Sequence, residues 1–136
     1  MFSETEWTIL MRYIPQWEID SEWSRLLPML KLPLDRQTAF DEIGLYAMLK
    51  RGEMQLWDAV DAALVTQIQT YQLERICMLV LAGGENLAEW KDGMLDMIVR
   101  YAKFNGCKAL CINGRAGWSR IVPEFNITDT VMRMNL

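Results

Sequence analysis

Histidine is absent from this chain of 136 residues, and that absence removes two kinds of chemistry. Neither a Ser-His-Asp nor a Cys-His catalytic set can be assembled without an imidazole, and zinc loses one of its usual ligands. Cysteine is scarce and odd in number: Cys77, Cys107 and Cys111. The last two make a C-x-x-x-C spacing that straddles an expected helix end and strand, so reduced thiols are expected and a metal site is not. Low-complexity stretches, charge blocks and internal repeats are missing. The longest apolar runs, such as 76–82, fall far short of the ~20 residues that a bilayer demands, and Arg12 interrupts the one nearest the start. No basic start precedes an apolar stretch with a small-residue cleavage site, so no signal peptide is expected. A basic surplus is lacking too. The net charge of −4 argues against nucleic acid as the main partner, because phosphate neutralisation needs a basic face.

What remains is an ordinary globular composition, 51% hydrophobic and 24% charged, in a length that suits one domain with a real core. Residues 7–14 are apolar-rich and end at Pro15, which suggests a first strand. Asp20 or Ser21 can cap a helix running to about Lys31, with Pro28 kinking it or starting a new turn and Pro33 ending the region. Asp35 then caps a second helix over 36–51, with Phe40, Ile43, Ala47 and Met48 on one face and Gly52 as its stop. From Met54 the period changes. Residues 54–60 and 64–71 suggest a hairpin, and 75–82 adds a third strand after a short turn at Gln72 and Leu73. Gly83 and Gly84 come next, then an amphipathic helix over 87–104 that carries Leu87, Trp90, Met94, Met97, Ile98 and Tyr101 at helical spacing and ends at Gly106. Residues 109–112 make another strand, 118–122 a short helix stopped by Pro123, and 126–135 a final strand. The expected class is α+β in a single domain: a strand and two helices over 1–53, antiparallel strands over 54–82, and helix, strand, short helix, strand over 83–136.

That order resembles the GNAT superfamily of N-acyltransferases, whose mixed, mainly antiparallel sheet carries helices on both faces. The segments RGEMQLWDAVD, LAGGENLAEW, GCKAL and GRAGWSRIVPEF are similar to a group of phage-encoded proteins of this fold, many carried among virion and assembly genes. The resemblance is good over about 48–136 and loose before it. It implies transfer of an acyl group from acetyl-CoA to an amine, with pantetheine in a notch beside a splayed central strand. The diphosphate would sit on amides at the start of the long helix, here those of Gly83, Gly84, Glu85 and Asn86, with Ala82 beside them. A phage setting implies a structural or host protein as partner, and the host cytoplasm or the virion as location, with neither nucleic acid nor membrane bound.

The usual basic, glycine-spaced diphosphate loop does not match Ala82-Gly83-Gly84-Glu85-Asn86-Leu87. Asn86 followed by Glu89 fits a capping box, in which the protein's own side chains take the donors that a phosphate needs. Glu85 and Glu89 add charge of the wrong sign. Each, within roughly 5 Å of a phosphate, would oppose binding by about 1 to 3 kcal/mol at an effective dielectric near 20. Gly83-Gly84 has a plainer reading as a tight strand-to-helix turn. Candidate catalytic groups are thin. Glu74 and Asp58, at strand ends, are the candidate bases. Where the family often has a tyrosine acid, this chain has Trp118 and Ser119, and neither indole nor hydroxyl is a useful acid at neutral pH. Arg115 and Arg120, with Gly114 and Gly117 near them, suit a carboxylate or phosphate, or alternatively an ion pair with Glu124 or Asp129. Trp118 would anchor the last helix. Three of the six tryptophans, Trp7, Trp17 and Trp23, lie near the start; most should pack in the core, and any left exposed would make a contact patch.

Two readings of different class result: a protein with a degenerate acyl-CoA site that acts by binding another protein, and an active acetyl-CoA-dependent acyltransferase. A homodimer joined through the edge of the 126–135 strand is a third expectation.

Overall fold

Among the described residues, seven strands form one sheet in the order β1-β2-β3-β4-β5-β7-β6. The computed structural model describes residues 12–85, 87–113, 126–128 and 131–136. The strands are β1 (Arg12–Ile14), β2 (Gln55–Asp58), β3 (Ala62–Tyr71), β4 (Glu74–Gly84), β5 (Ala109–Asn113), β6 (Asn126–Thr128) and β7 (Val131–Asn135). The helices are α1 (Ile19–Asp35), α2 (Glu42–Lys50) and α3 (Leu87–Phe104). Every neighbouring pair is antiparallel except β4 and β5. The mixed, mainly antiparallel α+β class expected from the sequence is the class observed.

The sheet is buried on both faces. On one, α3 lays Met94, Ile98 and Ala102 against Leu64, Cys77, Leu79, Leu110 and Ile112. On the other, α1 and α2 cover Ala63, Val65 and Leu81 with Leu26, Leu30, Leu45 and Leu49. Alternate β3 residues thus feed opposite cores, as the period of two requires. Truncating a fully buried side chain such as Leu64 to alanine would cost about 2 to 5 kcal/mol. Trp57 meets Tyr13 and Tyr101 edge-on at centroid separations of 5.4 and 5.3 Å, the two tyrosines are tilted at 6.1 Å, and the trio ties β1 and β2 to the C-terminal half of α3.

Several boundaries differ from expectation for identifiable reasons. Helix α1 comes after a single 3-10 turn, Gln16–Glu18, with Glu18 rather than Asp20 or Ser21 as its N-cap, and it continues through Pro28 and Pro33 to Asp35. Proline 33 has no N–H, so the Met29 carbonyl four residues back loses its helical donor. That carbonyl faces β4 instead: a Cβ built on Gly83 would lie 2.0 Å from it. Helix α2 begins at Glu42, because Asp41 and not Asp35 caps it, its carboxylate accepting the Gly44 N–H at 2.8 Å. The face it buries is Leu45 and Leu49; Ile43 is exposed and Phe40 precedes the helix. Its stop at Gly52, with φ of 77°, is as expected. Helix α3 keeps its expected bounds. The chain's last segment is a hairpin rather than one strand, and β7 lies inside the sheet between β5 and β6. The segment assigned to edge-to-edge dimerisation, 126–135, thus divides: β7 is internal, and β6, three residues long, is at an edge of the sheet. The expected short helix over 118–122 and the residues before Arg12 lie outside the described residues.

Candidate functional site

The parallel pair of β4 and β5 runs only from Ile76 opposite Ala109 to Leu79 opposite Ile112. Beyond that, β4 continues from Val80 to Gly84 without β5, whose last residue, Asn113, is paired with Val131 of β7. A notch opens between the two strands. Its cause is visible in the register of β3 on β4. Val65 faces Leu81 and Thr66 faces Leu79, so Val80 is one residue too many. A bulge of this kind bends its strand and re-aims the residues beyond it. Cys77 and Leu79 pack toward α3, whereas Val80 and Leu81 both pack toward α1.

The strand edge at the notch carries backbone donors and acceptors. Glu85 N–H donates to the Asp61 carbonyl at 2.9 Å, on the β3 side. Because peptide groups alternate along a strand, Gly83 faces β3 as Glu85 does, while the polar groups of Ala82 and Gly84 face the notch. Gly84 has φ of 124°, and a Cβ on it would lie 2.3 Å from the Asp61 carbonyl. Both glycines are thus needed for close approach, Gly83 to α1 and Gly84 to the β2–β3 turn. They belong to the end of β4 and not to a free turn, which corrects the sequence reading.

The structure brings Ala82, Gly83 and Gly84 together at the head of α3. Asn86 lies outside the described residues, as do Arg115, Gly117, Trp118, Ser119 and Arg120. The capping box therefore has no structural account. The amide of Glu85, one of four assigned to a diphosphate, is occupied by the protein's own carbonyl.

The two candidate bases separate. Glu74 starts β4, ten residues and roughly 33 Å from Gly84 at strand rise. Its carboxylate accepts both Arg133 Nη1 at 2.8 Å and Nη2 at 2.5 Å, and that pairing holds its pKa below the ordinary value. A depressed pKa suits an ion pair, not a base. Asp58 is on the notch side, opposite Ala63, which is in turn opposite Gly83. It accepts from Arg25 at 2.6 and 3.3 Å and from the Val60 N–H at 2.9 Å. Bonding to Asp58, and then to Glu22, raises the Arg25 pKa further.

Sequence reading missed this ion-pair chain. Arg12 bonds Glu18 at 2.5 Å and lies 3.6 Å from Glu22, and Arg25 bridges Glu22 and Asp58. Only the i,i+3 spacing of Glu22 and Arg25 signalled any of it. Cys77, Cys107 and Cys111 are free and buried. Burial pushes the Cys77 thiol up to about 12 and raises the other two, with Arg75 pulling Cys107 the other way. Of the early tryptophans, Trp23 packs on Tyr46 with centroids 5.5 Å apart. Trp17 is 82% exposed.

Solved structures with the same arrangement are acetyltransferases. A probable acetyltransferase superposes with a TM-score of 0.62 at 11% identity, over 83% of this chain and 85% of that one. An IAA acetyltransferase from Bacillus cereus gives 0.56 at 15%, over 93% and 98%. An N-acetylglutamate synthase from Neisseria gonorrhoeae, complexed with coenzyme A and L-arginine, gives 0.56 at 12%, over 93% of this chain but 32% of that larger one. No family model matches the sequence, and neither does any curated protein sequence. At these identities the likeness establishes the fold: this chain has the architecture of the GNAT acetyltransferases. Among the described residues, no helix is long and apolar enough to cross a membrane.

Proposed function

We propose that this chain binds an acyl-CoA along the open edge of β4, with a weakened grip on the diphosphate. The observation that carries the reading is the stretch from Val80 to Gly84, which pairs with β3 on one side and, among the described residues, with no strand on the other. A chain of amides such as pantetheine can add to it as an extra strand, using the polar groups of Ala82 and Gly84. The diphosphate end is poorly served, since the Glu85 amide is engaged and Glu85 and Glu89 bring negative charge. Transfer to an amine needs a base beside the thioester. Asp58 is at the right end of the sheet, but its carboxylate is held by Arg25. Binding with little or no transfer is the resulting activity.

Calorimetric titration with acetyl-CoA is the test. Affinity in the micromolar to sub-millimolar range supports the reading, and no heat at millimolar ligand overturns it. The Glu85→Gln, Glu89→Gln double variant should tighten binding about tenfold or more, from the removal of two opposing charges. No gain would dismiss the charge argument.

A second reading is a protein of phage origin that works by docking on a virion, assembly or host protein in the infected cell. The exposure of Trp17 favours it, since tryptophan dominates interface hot spots. Loss of partner capture in Trp17→Ala, with acetyl-CoA affinity unchanged, would assign the role to that surface.

A further inference from the structure

At the opposite end of the sheet from the notch lies a groove of about 520 Å3, lined by Gln55, Gln67, Arg75, Tyr101 and Asn105, with Glu53 beside them. It joins the start of β2, the later part of β3, the start of β4 and the last turns of α3.

Gln55 is the informative residue, a polar side chain only 6% exposed. A relay fixes its orientation. Trp57 Nε1 can only donate, and it donates to Thr66 Oγ1 at 3.0 Å. The Thr66 hydroxyl spends its single proton on Gln55 Oε1 at 3.0 Å. The amide oxygen therefore points inward and Nε2 is the group left to the groove, with no partner among the described residues. Gln67 lines the rim, but alternation along β3 puts its side chain, like that of Val65, on the other face, where its Oε1 accepts from Gln69 Nε2 at 2.9 Å. Arg75 adds a guanidinium beside Cys107, with no carboxylate in salt-bridge range among the described residues. Gln55 on β2 and Arg75 on β4 thus present donors to one space on the α3 face.

Acceptors lie on the other side. Asn105 commits Nδ2 to the Tyr101 carbonyl at 2.8 Å, which leaves Oδ1 as acceptor. Glu53 carries a carboxylate, paired at 2.9 Å with Arg51. Donors for an anion facing acceptors for a cation are the complement of a zwitterion. A second negative charge on the ligand would meet Glu53.

We infer that this groove binds a free α-amino acid, its carboxylate on Arg75 and Gln55 and its ammonium toward Asn105 and Glu53. Arginine's planar fork suits the carboxylate. The site shares no residue with the acyl-CoA notch, so either can fail alone.

The test is a titration of the full chain with L-glutamine, followed by amide NMR. Saturable shifts at millimolar ligand, centred on Gln55, Arg75 and Asn105, are expected, and L-glutaminamide, which lacks the carboxylate, should give none. Arg75→Gln, at an exposed position, should weaken binding about tenfold or more. Gln55→Glu keeps the oxygen that Thr66 needs and replaces the donor with negative charge, so it should weaken binding further. Absence of saturable shifts in the wild type, equal binding of the amide, or undiminished affinity in a folded Arg75→Gln protein would each overturn the assignment.

Discussion

The Met29 carbonyl oxygen occupies the place where a side chain on residue 83 would stand, 2.0 Å from the Cβ that Gly83 lacks. Backbone therefore meets backbone where α1 crosses β4. Gly83→Ala should lower stability by about 1 to 3 kcal/mol or more, because neither main chain can yield as a flexible side chain would. Urea unfolding midpoints measure it; an unchanged midpoint would mean that α1 slides freely over β4.

The β3–β4 turn is the converse case. Gln72 and Leu73 both have positive φ, 50° and 68°, without a glycine, and Leu73 is fully exposed. A left-handed conformation costs a non-glycine residue roughly 1 to 2 kcal/mol, partly offset by the greater chain entropy that glycine loses. Leu73→Gly should therefore stabilise by about 0.5 to 1 kcal/mol, read as a melting temperature raised by about 2 to 4 °C. A lowered Tm would show that the leucine contributes a contact worth more than its strain.

Glu74 and Arg133 join β4 to β7 across β5. Since the pairing depresses the Glu74 pKa in the folded protein, its stabilisation is present above the unfolded value near 4.5 and fades as pH falls through the folded one. Glu74→Gln should unfold at lower urea than wild type at pH 7, and the difference should close as the pH approaches 3. A pH-independent gap would assign the loss to packing.

Thiol labelling reports the core. All three cysteines are buried with raised pKa values, and the thiolate is the reactive form. Ellman's reagent at pH 8 should react slowly with native protein and rapidly with all three thiols in denaturant. Fast native reaction of Cys77 or Cys107 would show that the α3 face opens, and of Cys111 that the opposite face does.

Where structure was written in local pattern, the sequence revealed it. The spacing of Met94, Ile98 and Tyr101 gave α3 its bounds, and the apolar runs gave β4 and β5 their places. The discrepancies are tertiary. Proline 33 reads as a helix stop until β4 is there to receive the Met29 carbonyl. Asp35 and Asp41 are equally good caps in isolation; Asp41 was selected by a fold that buries Leu45 and Leu49. The notch was legible only through resemblance. Its cause, one surplus residue at Val80, leaves no mark in composition or period, and Asp58 became a poor base only when Arg25, thirty-three positions away, reached it.

The surplus residue in β4 also sets what length changes the strand tolerates. Delete Val80 and Leu81 follows Leu79 directly: Leu81 stays toward α1, Ala82 toward α3 and Gly83 beneath the helix main chain, and β4 becomes a regular ladder on β3. Shortening by one at this place would thus keep every face and remove only the bend, where shortening by two, Leu81 included, would turn Ala82 toward α1 and carry glycine away from it. The geometry of the opening is set by one peptide unit, and the packing of the first helix can be kept without it.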